Sequence, residues 1–131
     1  MQSKTVITFG TFDIFHVGHL RLLERARALG TCLVVGVSTD RLNLDKKGRN
    51  PVYSEDERKE IILSLKCVDR VFDEESLEKK GEYLKQHEAD ILVMGDDWEG
   101  KFDVYRDICE VVYFQRTPAV STTEVIEKIR V

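Results

Sequence analysis

Short apolar runs alternate with amphipathic segments along the whole chain, and this alternation restricts the fold more than any other feature. Each apolar run is short and rich in β-branched or aromatic residues, as is typical of buried strands. The predicted strands cover residues 5–9, 32–38, 70–72, 91–94 and 110–114. Apolar residues at helical spacing, together with capping signals, predict helices over residues 18–29, 54–65, 77–87 and from 121 onward, with a loop and a short helix before residue 110.

Strands that alternate with helices require crossover connections, which produce a parallel sheet covered on both faces. A chain of 131 residues suits one domain. We therefore expect an α/β fold with a Rossmann-like, doubly wound sheet of five parallel strands, formed as a single domain by residues 1–131. The polar stretch 39–53 is expected to be a loop. Ligands of such sheets bind outside the carboxyl ends of the strands, near the point where strand order reverses.

Composition excludes several classes of protein. The net charge of −4 argues against a nucleic-acid-binding surface, because such surfaces carry a basic excess. The apolar runs are too short for membrane insertion, and the first residues do not form a signal-peptide pattern. Cys32, Cys67 and Cys109 are far apart and odd in number, so we expect three reduced thiols and a cytoplasmic location.

The segment after the first strand, from Gly10 to His19, carries the strongest chemical signal. His16 and His19 are three residues apart where a helix begins, which places both imidazoles on one side of the helix start. Helix N–H groups, and the close approach that Gly18 permits, suit a phosphate. The alternatives are a capping role and a zinc site, for which His87 is the one remaining histidine and no cysteine pair stands nearby.

An arginine and several hydroxyl groups follow the last strand. Arg116 and Thr117 come first, and Ser121, Thr122 and Thr123 open the final helix. A guanidinium, hydroxyls and helix N–H groups together suit a triphosphate. Capping of the helix by Ser121 alone is the other interpretation.

Two more segments at strand ends carry charged side chains. Asp97 and Trp98 follow the fourth strand, where a carboxylate suits Mg²⁺ or a ribose hydroxyl and an indole suits a stacked base. Residue types alone favour an ordinary surface loop. Lys46, Lys47 and Arg49 form a basic stretch, which is either a solvated loop or a site that recruits an anionic acceptor.

Three of these segments resemble the cytidylyltransferase family. The matching motifs are Gly10-Thr11-Phe12-Asp13 with His16-x-Gly18-His19, MGDDWEGKFD at 94–103, and Arg116-Thr117-x-x-x-Ser121-Thr122-Thr123. The H-x-G-H motif marks a broad superfamily of nucleotidyltransferases. The arginine-to-STT segment narrows the resemblance to the cytidylyltransferase-like branch of that superfamily. The stretch at 94–103 is similar to that of the bacterial glycerol-3-phosphate cytidylyltransferases.

The resemblance implies that CTP and glycerol 3-phosphate react to give CDP-glycerol and pyrophosphate. A phosphate oxygen of the acceptor would attack the α-phosphorus of CTP in line with the leaving pyrophosphate, without a covalent enzyme intermediate. Mg²⁺ would accompany the triphosphate, held mainly by phosphate oxygens and water. The resemblance also implies a homodimer and, in a bacterium, a role in the synthesis of cell-envelope polymers.

The resemblance also assigns roles to individual residues. His16, His19 and Arg116 form the catalytic set and would stabilise charge on the phosphates. Lys46 and Lys80 would bind the acceptor. The nucleotide-binding set contains the catalytic residues together with Gly10, Thr11, Phe12, Gly18, Asp97, Thr117, Ser121, Thr122 and Thr123.

Three alternative functions fit part of the pattern. The same chemistry would serve another phosphorylated alcohol, such as a different polyol phosphate or phosphocholine. A non-catalytic nucleotide-binding module would bind CTP without transferring its cytidylyl group. A flavodoxin-like regulator needs a phosphorylatable aspartate at a strand end, for which Asp13 and Asp40 are candidates, but it leaves the H-x-G-H and STT segments unexplained.

Overall fold

Five parallel strands form the sheet that the sequence predicts. The computed structural model of the chain describes residues 3–115 and 121–130. Its strands are β1 (Thr5–Gly10), β2 (Cys32–Ser38), β3 (Arg70–Glu74), β4 (Ile91–Gly95) and β5 (Glu110–Phe114). They pair in the order β3-β2-β1-β4-β5, and every pairing is parallel. The predicted Rossmann-like α/β fold is confirmed.

Over residues 3–115 and 121–130, five α-helices accompany these strands, four between strands and one after the last strand. They are α1 (Val17–Arg27), α2 (Asp40–Lys47), α3 (Glu55–Leu63), α4 (Lys80–Gln86) and α5 (Thr122–Arg130), with two 3-10 helices at Asp96–Trp98 and Asp103–Asp107. The hydroxyls of Ser54 and Ser121 accept the N–H groups of Glu57 and Glu124, so both predicted capping sites are confirmed. Within the described ranges, none of the helices combines the length and apolar character that a membrane crossing requires.

Helix α2 corrects the prediction of a continuous loop over residues 39–53. The Thr39 hydroxyl accepts the N–H of Leu42 and caps the helix, and Gly48 ends it with a φ of 75°. The segment is too polar for apolar periodicity to reveal a helix, so the threonine and the glycine were the usable signals. The correction places Lys46 and Lys47 in the last turn of a helix.

Helix α4 begins later than residue 77, because the Ser76 hydroxyl accepts the N–H of Glu78 in a separate turn. Leu77, predicted to face the core, is instead 42% exposed. The buried residues of α4 include Lys80 and Leu84. Lys80 therefore occupies an inward position that the sequence pattern did not assign to the inner face of the helix.

Two apolar cores lie on opposite faces of the sheet. On β1, Val6 packs into a core with Leu23 of α1 and Ile62 of α3, whereas Ile7 packs into the opposite core with Leu84 of α4. Strands β2 and β4 alternate in the same way. Burial on both faces explains why these strands are almost continuously apolar in sequence.

An aromatic cluster occupies the α4 side of the sheet. The ring centroids of Phe9, Phe72 and Tyr83 lie between 5.2 and 6.1 Å apart. Gly36, in the middle of β2, provides the room: a Cβ at this position would lie 2.6 Å from the Phe9 ring and 2.7 Å from the Phe72 ring.

A buried arginine ties the ends of β1 and β2 to the following helices. Arg58 is 0% exposed, and its Nη1 donates to the carbonyl oxygens of Thr11 at 2.9 Å and Ser38 at 2.8 Å. Its Nε donates to the Tyr53 carbonyl at 3.0 Å, and its Nη2 pairs with Asp40 at 2.7 Å. The guanidinium thereby sets the spacing between the strand ends at which ligands bind in such sheets.

We expect the substitution Arg58→Met to destabilise the fold by about 3 kcal/mol or more, because it leaves a carboxylate and three carbonyl oxygens without their buried partner. Urea unfolding measures the change. The matched control is Arg41→Met on the exposed side of α2, for which we expect a change within about 0.5 kcal/mol. Equal stability of the two variants would contradict the proposed importance of the Arg58 contacts.

Candidate active site

The loop between β1 and α1 has an unusual but well-supported backbone. Phe12 and Ile14 have φ values of 54° and 46°, in the left-handed region that residues other than glycine rarely occupy. Phe12 is buried, with its ring centroid 5.4 Å from that of His19. The Asp13 carboxylate accepts the N–H of Val52 at 2.7 Å. These contacts stabilise the strained loop that leads into the histidine pair.

His16 and His19 cap α1 and stack on each other. Nδ1 of His16 accepts the N–H of Gly18 at 3.0 Å, and Nδ1 of His19 accepts the N–H of His16 at 3.3 Å. The ring centroids are 3.8 Å apart, with 22° between the planes. The predicted placement on one side of the helix start is confirmed, and capping is one role of each ring. Because capping uses Nδ1, Nε2 of each ring takes no part in the capping contacts.

Both imidazoles are neutral at physiological pH. Burial lowers the pKa of His16. Burial and the neighbouring His16 lower the pKa of His19 to about 4, against the opposing effect of Asp13. Because each Nδ1 is an acceptor, the proton of the neutral ring lies on Nε2. In this structure the two rings are therefore neutral hydrogen-bond donors.

Helix α5 brings hydroxyl groups to the histidines. Oγ1 of Thr122 donates to the Asp13 carbonyl at 3.3 Å and lies 3.5 Å from Nε2 of His16. Sequence positions more than 100 apart therefore meet at one site, as the parallel topology predicts. The predicted residues Arg116 and Thr117 lie outside the described residues.

Two cavities meet beside the histidine pair. The smaller has a volume of about 340 Å³, and its lining includes His16, Gly18, Arg25, Gln115 and Ser121. The larger has a volume of about 870 Å³, and its lining includes Gly10, Thr11, Phe12, Lys46, Lys80 and Thr123. His19, Asp97 and Thr122 line both. Every predicted site residue that the structure describes therefore borders this pair of cavities.

The larger cavity is basic although the chain is acidic overall. Five basic and three acidic side chains line it; the basic ones are Lys46, Lys47, Arg49, Lys80 and Arg130. Loss of solvent around the ammonium groups lowers the pKa values of Lys46 and Lys47. A local positive excess in a partly desolvated cavity favours a phosphorylated ligand.

The segment after β4 contributes Asp97 and Trp98. A Cβ on Gly95 would lie 2.7 Å from Oδ1 of Asp97, so glycine at this position permits the observed position of the carboxylate. Trp98 is 38% exposed, and its ring centroid lies 5.5 Å from that of Phe102. Both side chains border the larger cavity.

Asn43 is a supporting residue that the sequence analysis missed. Its Oδ1 accepts the Thr11 hydroxyl at 2.9 Å, while its Nδ2 donates to the carbonyls of Ser38 and Thr39. The Thr11 oxygen also lies 3.5 Å from Nζ of Lys47. An asparagine in a polar segment gives no sequence signal for such a role, since α2 itself was not predicted.

Asp13 and Asp40 were candidates for phosphorylation in a regulator, but both carboxylates support the loops of the site. Asp13 accepts the backbone N–H groups of residues 52 and 53. Asp40 accepts hydrogen bonds from Arg58 and from the N–H of Glu55.

The buried position of Arg58 was also not predicted from the sequence, although its place four residues before the buried Ile62 was a usable signal.

A model of the cytidylyltransferase-like family matches residues 7–128. The chain belongs to the cytidylyltransferase-like family. It is 50% identical over 126 residues to a glycerol-3-phosphate cytidylyltransferase of Bacillus subtilis (strain 168), which covers 96% of this chain and 97% of the relative. Its identity to a glycerol-3-phosphate cytidylyltransferase of Staphylococcus aureus (strain NCTC 8325 / PS 47) is 41%, covering 96% of this chain and 95% of the relative.

The fold of this cytidylyltransferase-like chain also has a solved counterpart. The crystal structure of the lipopolysaccharide core biosynthesis protein from Thermoplasma volcanium GSS1 matches it with a TM-score of 0.76 at 27% sequence identity. The match covers 88% of this chain and 99% of that chain. The family resemblance predicted from the three motifs is confirmed.

We expect His19 to titrate near pH 4 in the folded protein, whereas a histidine in the unfolded chain titrates near 6.5. Unfolding therefore takes up a proton between these values, and the contribution of His19 to the free energy of unfolding decreases as pH falls from about 6.5 to about 4. The ¹⁵N shifts of the His19 ring across a pH titration measure its pKa in the folded protein. Above pH 5 these shifts should report a proton on Nε2. A midpoint at or above 6.5 would contradict the neutral assignment.

Proposed function

We propose that this chain transfers the cytidylyl group of CTP to glycerol 3-phosphate, giving CDP-glycerol and pyrophosphate. The observation that carries the proposal is the meeting of two cavities at His19 and Thr122, where two substrates can be brought into contact. The two relatives that match over nearly the whole chain are glycerol-3-phosphate cytidylyltransferases, and this activity supplies the proposed substrates. The basic character of the larger cavity supports an anionic acceptor.

The reaction is a direct displacement at the α-phosphorus of CTP. An oxygen of the acceptor phosphate forms a bond to this phosphorus while the bond to the β-phosphate bridging oxygen breaks, so pyrophosphate leaves. The protein has to align the two substrates and stabilise the charge that develops on the phosphoryl oxygens. No nucleophilic side chain is required.

The neutral histidines are suited to this stabilisation. Each would donate its Nε2 hydrogen to a phosphoryl oxygen, because capping directs Nδ1 towards the backbone. Arg116 completes the proposed catalytic set. Stacked imidazoles oppose each other's protonation, so both rings can remain neutral donors until a phosphate is bound.

The remaining contacts follow the cavities. The nucleotide would lie along the smaller cavity and the H-x-G-H loop, with Lys46 and Lys80 holding the acceptor in the larger one. The proposed nucleotide-binding residues are His16, His19, Arg116, Gly10, Thr11, Phe12, Gly18, Asp97, Thr117, Ser121, Thr122 and Thr123.

Mg²⁺ is proposed to accompany CTP. In the part of the chain that the structure describes, no three histidine, cysteine, aspartate or glutamate side chains form a metal cage. A site with few protein carboxylates fits an ion carried by the nucleotide, since Mg²⁺ keeps waters and phosphate ligands and needs only one or two carboxylates. Asp97, which borders both cavities, would supply one. When bound, the ion would neutralise charge on the phosphates.

We expect pyrophosphate release when the protein is given CTP, Mg²⁺ and glycerol 3-phosphate, and less release with phosphocholine or another polyol phosphate. A coupled pyrophosphate assay over this acceptor panel measures it. Binding of CTP without release of pyrophosphate for any acceptor would instead favour a non-catalytic module.

Light scattering of the same sample tests the proposed homodimer.

We expect His16→Asn and His19→Gln to lower kcat by about 100- to 1,000-fold with little change in thermal unfolding. Asparagine is a good N-cap and glutamine suits the third helical position, so both variants keep the capping acceptors while removing the imidazole donor.

The matched control for these variants is His87→Asn. His87 stacks on Phe72, with ring centroids 4.2 Å apart, and borders neither cavity. Its substitution should leave kcat unchanged. Activity of His16→Asn and His19→Gln equal to that of the control would show that the pair is structural only.

A further inference from the structure

A buried ion pair lies at one end of the larger cavity. Lys80 and Glu74 are 3% and 2% exposed, and Nζ of the lysine is 2.9 Å from Oε2 of the glutamate. Oε1 of Glu74 accepts the Ser38 hydroxyl at 3.3 Å. All three residues line the cavity. Burial of two charges is costly, and at the wall of a ligand cavity such a pair is a candidate for substrate recognition.

Aromatic rings complete the environment of the lysine. Nζ of Lys80 lies 3.9 Å from the centroid of Phe9 and 4.9 Å from that of Phe102. The ammonium is thus compensated by one carboxylate and two ring faces. Because Glu74 balances its charge, the Lys80 ammonium adds almost no net charge to the cavity. Lys80 alone is therefore poorly suited to neutralise a phosphate.

Net positive charge for a phosphate is available nearby. Among the described residues, Lys46, Lys47 and Arg49 form no ion pair, and all three line the same cavity. Glu74 and Lys80 both act on the pKa of Lys46, which shows that this phosphate-binding candidate is close to the buried pair. The cavity therefore has a positively charged region at Lys46, Lys47 and Arg49, which suits a phosphate. Beside it, the Glu74–Lys80 pair forms a region that is polar but nearly neutral.

Resting on the proposed function, we infer that Glu74 and Lys80 bind the hydroxyl groups of the acceptor alcohol and determine acceptor specificity. A carboxylate that accepts two hydrogen bonds has lone pairs for alcohol protons, and an ammonium has three donors, of which Glu74 uses one. A vicinal diol supplies matching donors and acceptors. Lys46 then holds the acceptor phosphate beside the histidine pair.

This arrangement discriminates against acceptors without hydroxyl groups. Propyl phosphate has the phosphate and chain length of glycerol 3-phosphate but would leave the buried charges without their new partners. A site built to hydrogen-bond a substrate hydroxyl rejects such an analogue strongly, so we expect kcat/KM for propyl phosphate to be at least about 100-fold lower. The acceptor 2-hydroxyethyl phosphate, with one hydroxyl, should fall between the two.

The double variant Glu74→Gln with Lys80→Met tests the inference, because it removes both charges and leaves neither one buried alone. We expect kcat/KM for glycerol 3-phosphate to fall roughly 10- to 100-fold while that for propyl phosphate changes less than about threefold. The control Lys46→Met should lower both values by a similar factor and preserve their ratio.

Two outcomes would overturn the inference. One is an equal kcat/KM of the wild-type protein for propyl phosphate and for glycerol 3-phosphate. This measurement needs no variant. The other is an equal loss for all acceptors in the double variant, which would assign the pair to the phosphate or to folding.

Calorimetric titration with the same two compounds separates this inference from the proposed function. If the wild type releases no pyrophosphate with any acceptor, the proposed function fails. Tighter binding of glycerol 3-phosphate by about tenfold, lost in the double variant, would still support hydroxyl recognition. Equal binding of both compounds would overturn it.

Discussion

The Arg58 guanidinium is the interaction on which the rest of the site depends. It joins the carboxyl ends of β1 and β2 through the Thr11 and Ser38 carbonyls and pairs with Asp40 at the start of α2. The loop to the histidines begins at the first of these strand ends, and the helix that carries Lys46 begins at the second. A single buried cation therefore sets the distance between the histidine loop and the helix that carries Lys46.

The histidine pair combines an observed capping role with the proposed phosphate contacts in the same side chains. Capping fixes the tautomer of each ring, and burial keeps both rings neutral. A neutral donor avoids the cost of burying an isolated charge before the substrate arrives. The net positive charge is carried instead by basic side chains at the wall of the larger cavity.

The sequence predicted the fold well because the strands are buried on both faces and leave a nearly continuous apolar signal. It also predicted the edge of the sheet at which His16, Asp97 and Thr122 meet, since topology alone brings strand ends together. Helix α2 was missed because its residues are too polar for apolar periodicity. Asn43, Arg58 and Glu74 were missed for a related reason: each is a polar residue whose burial depends on contacts far away in the chain.

Gly36 connects the interior of the sheet to the range of molecules that such a site could accept. The space above this glycine is filled by Phe9 and Phe72, and Phe9 in turn forms one wall around the Lys80 ammonium. Volume added at position 36 would push these rings towards the cavity, and smaller rings would enlarge it. The size of the larger cavity is therefore adjustable from within the core, so the range of ligands that it accepts could evolve or be engineered without altering the H-x-G-H loop.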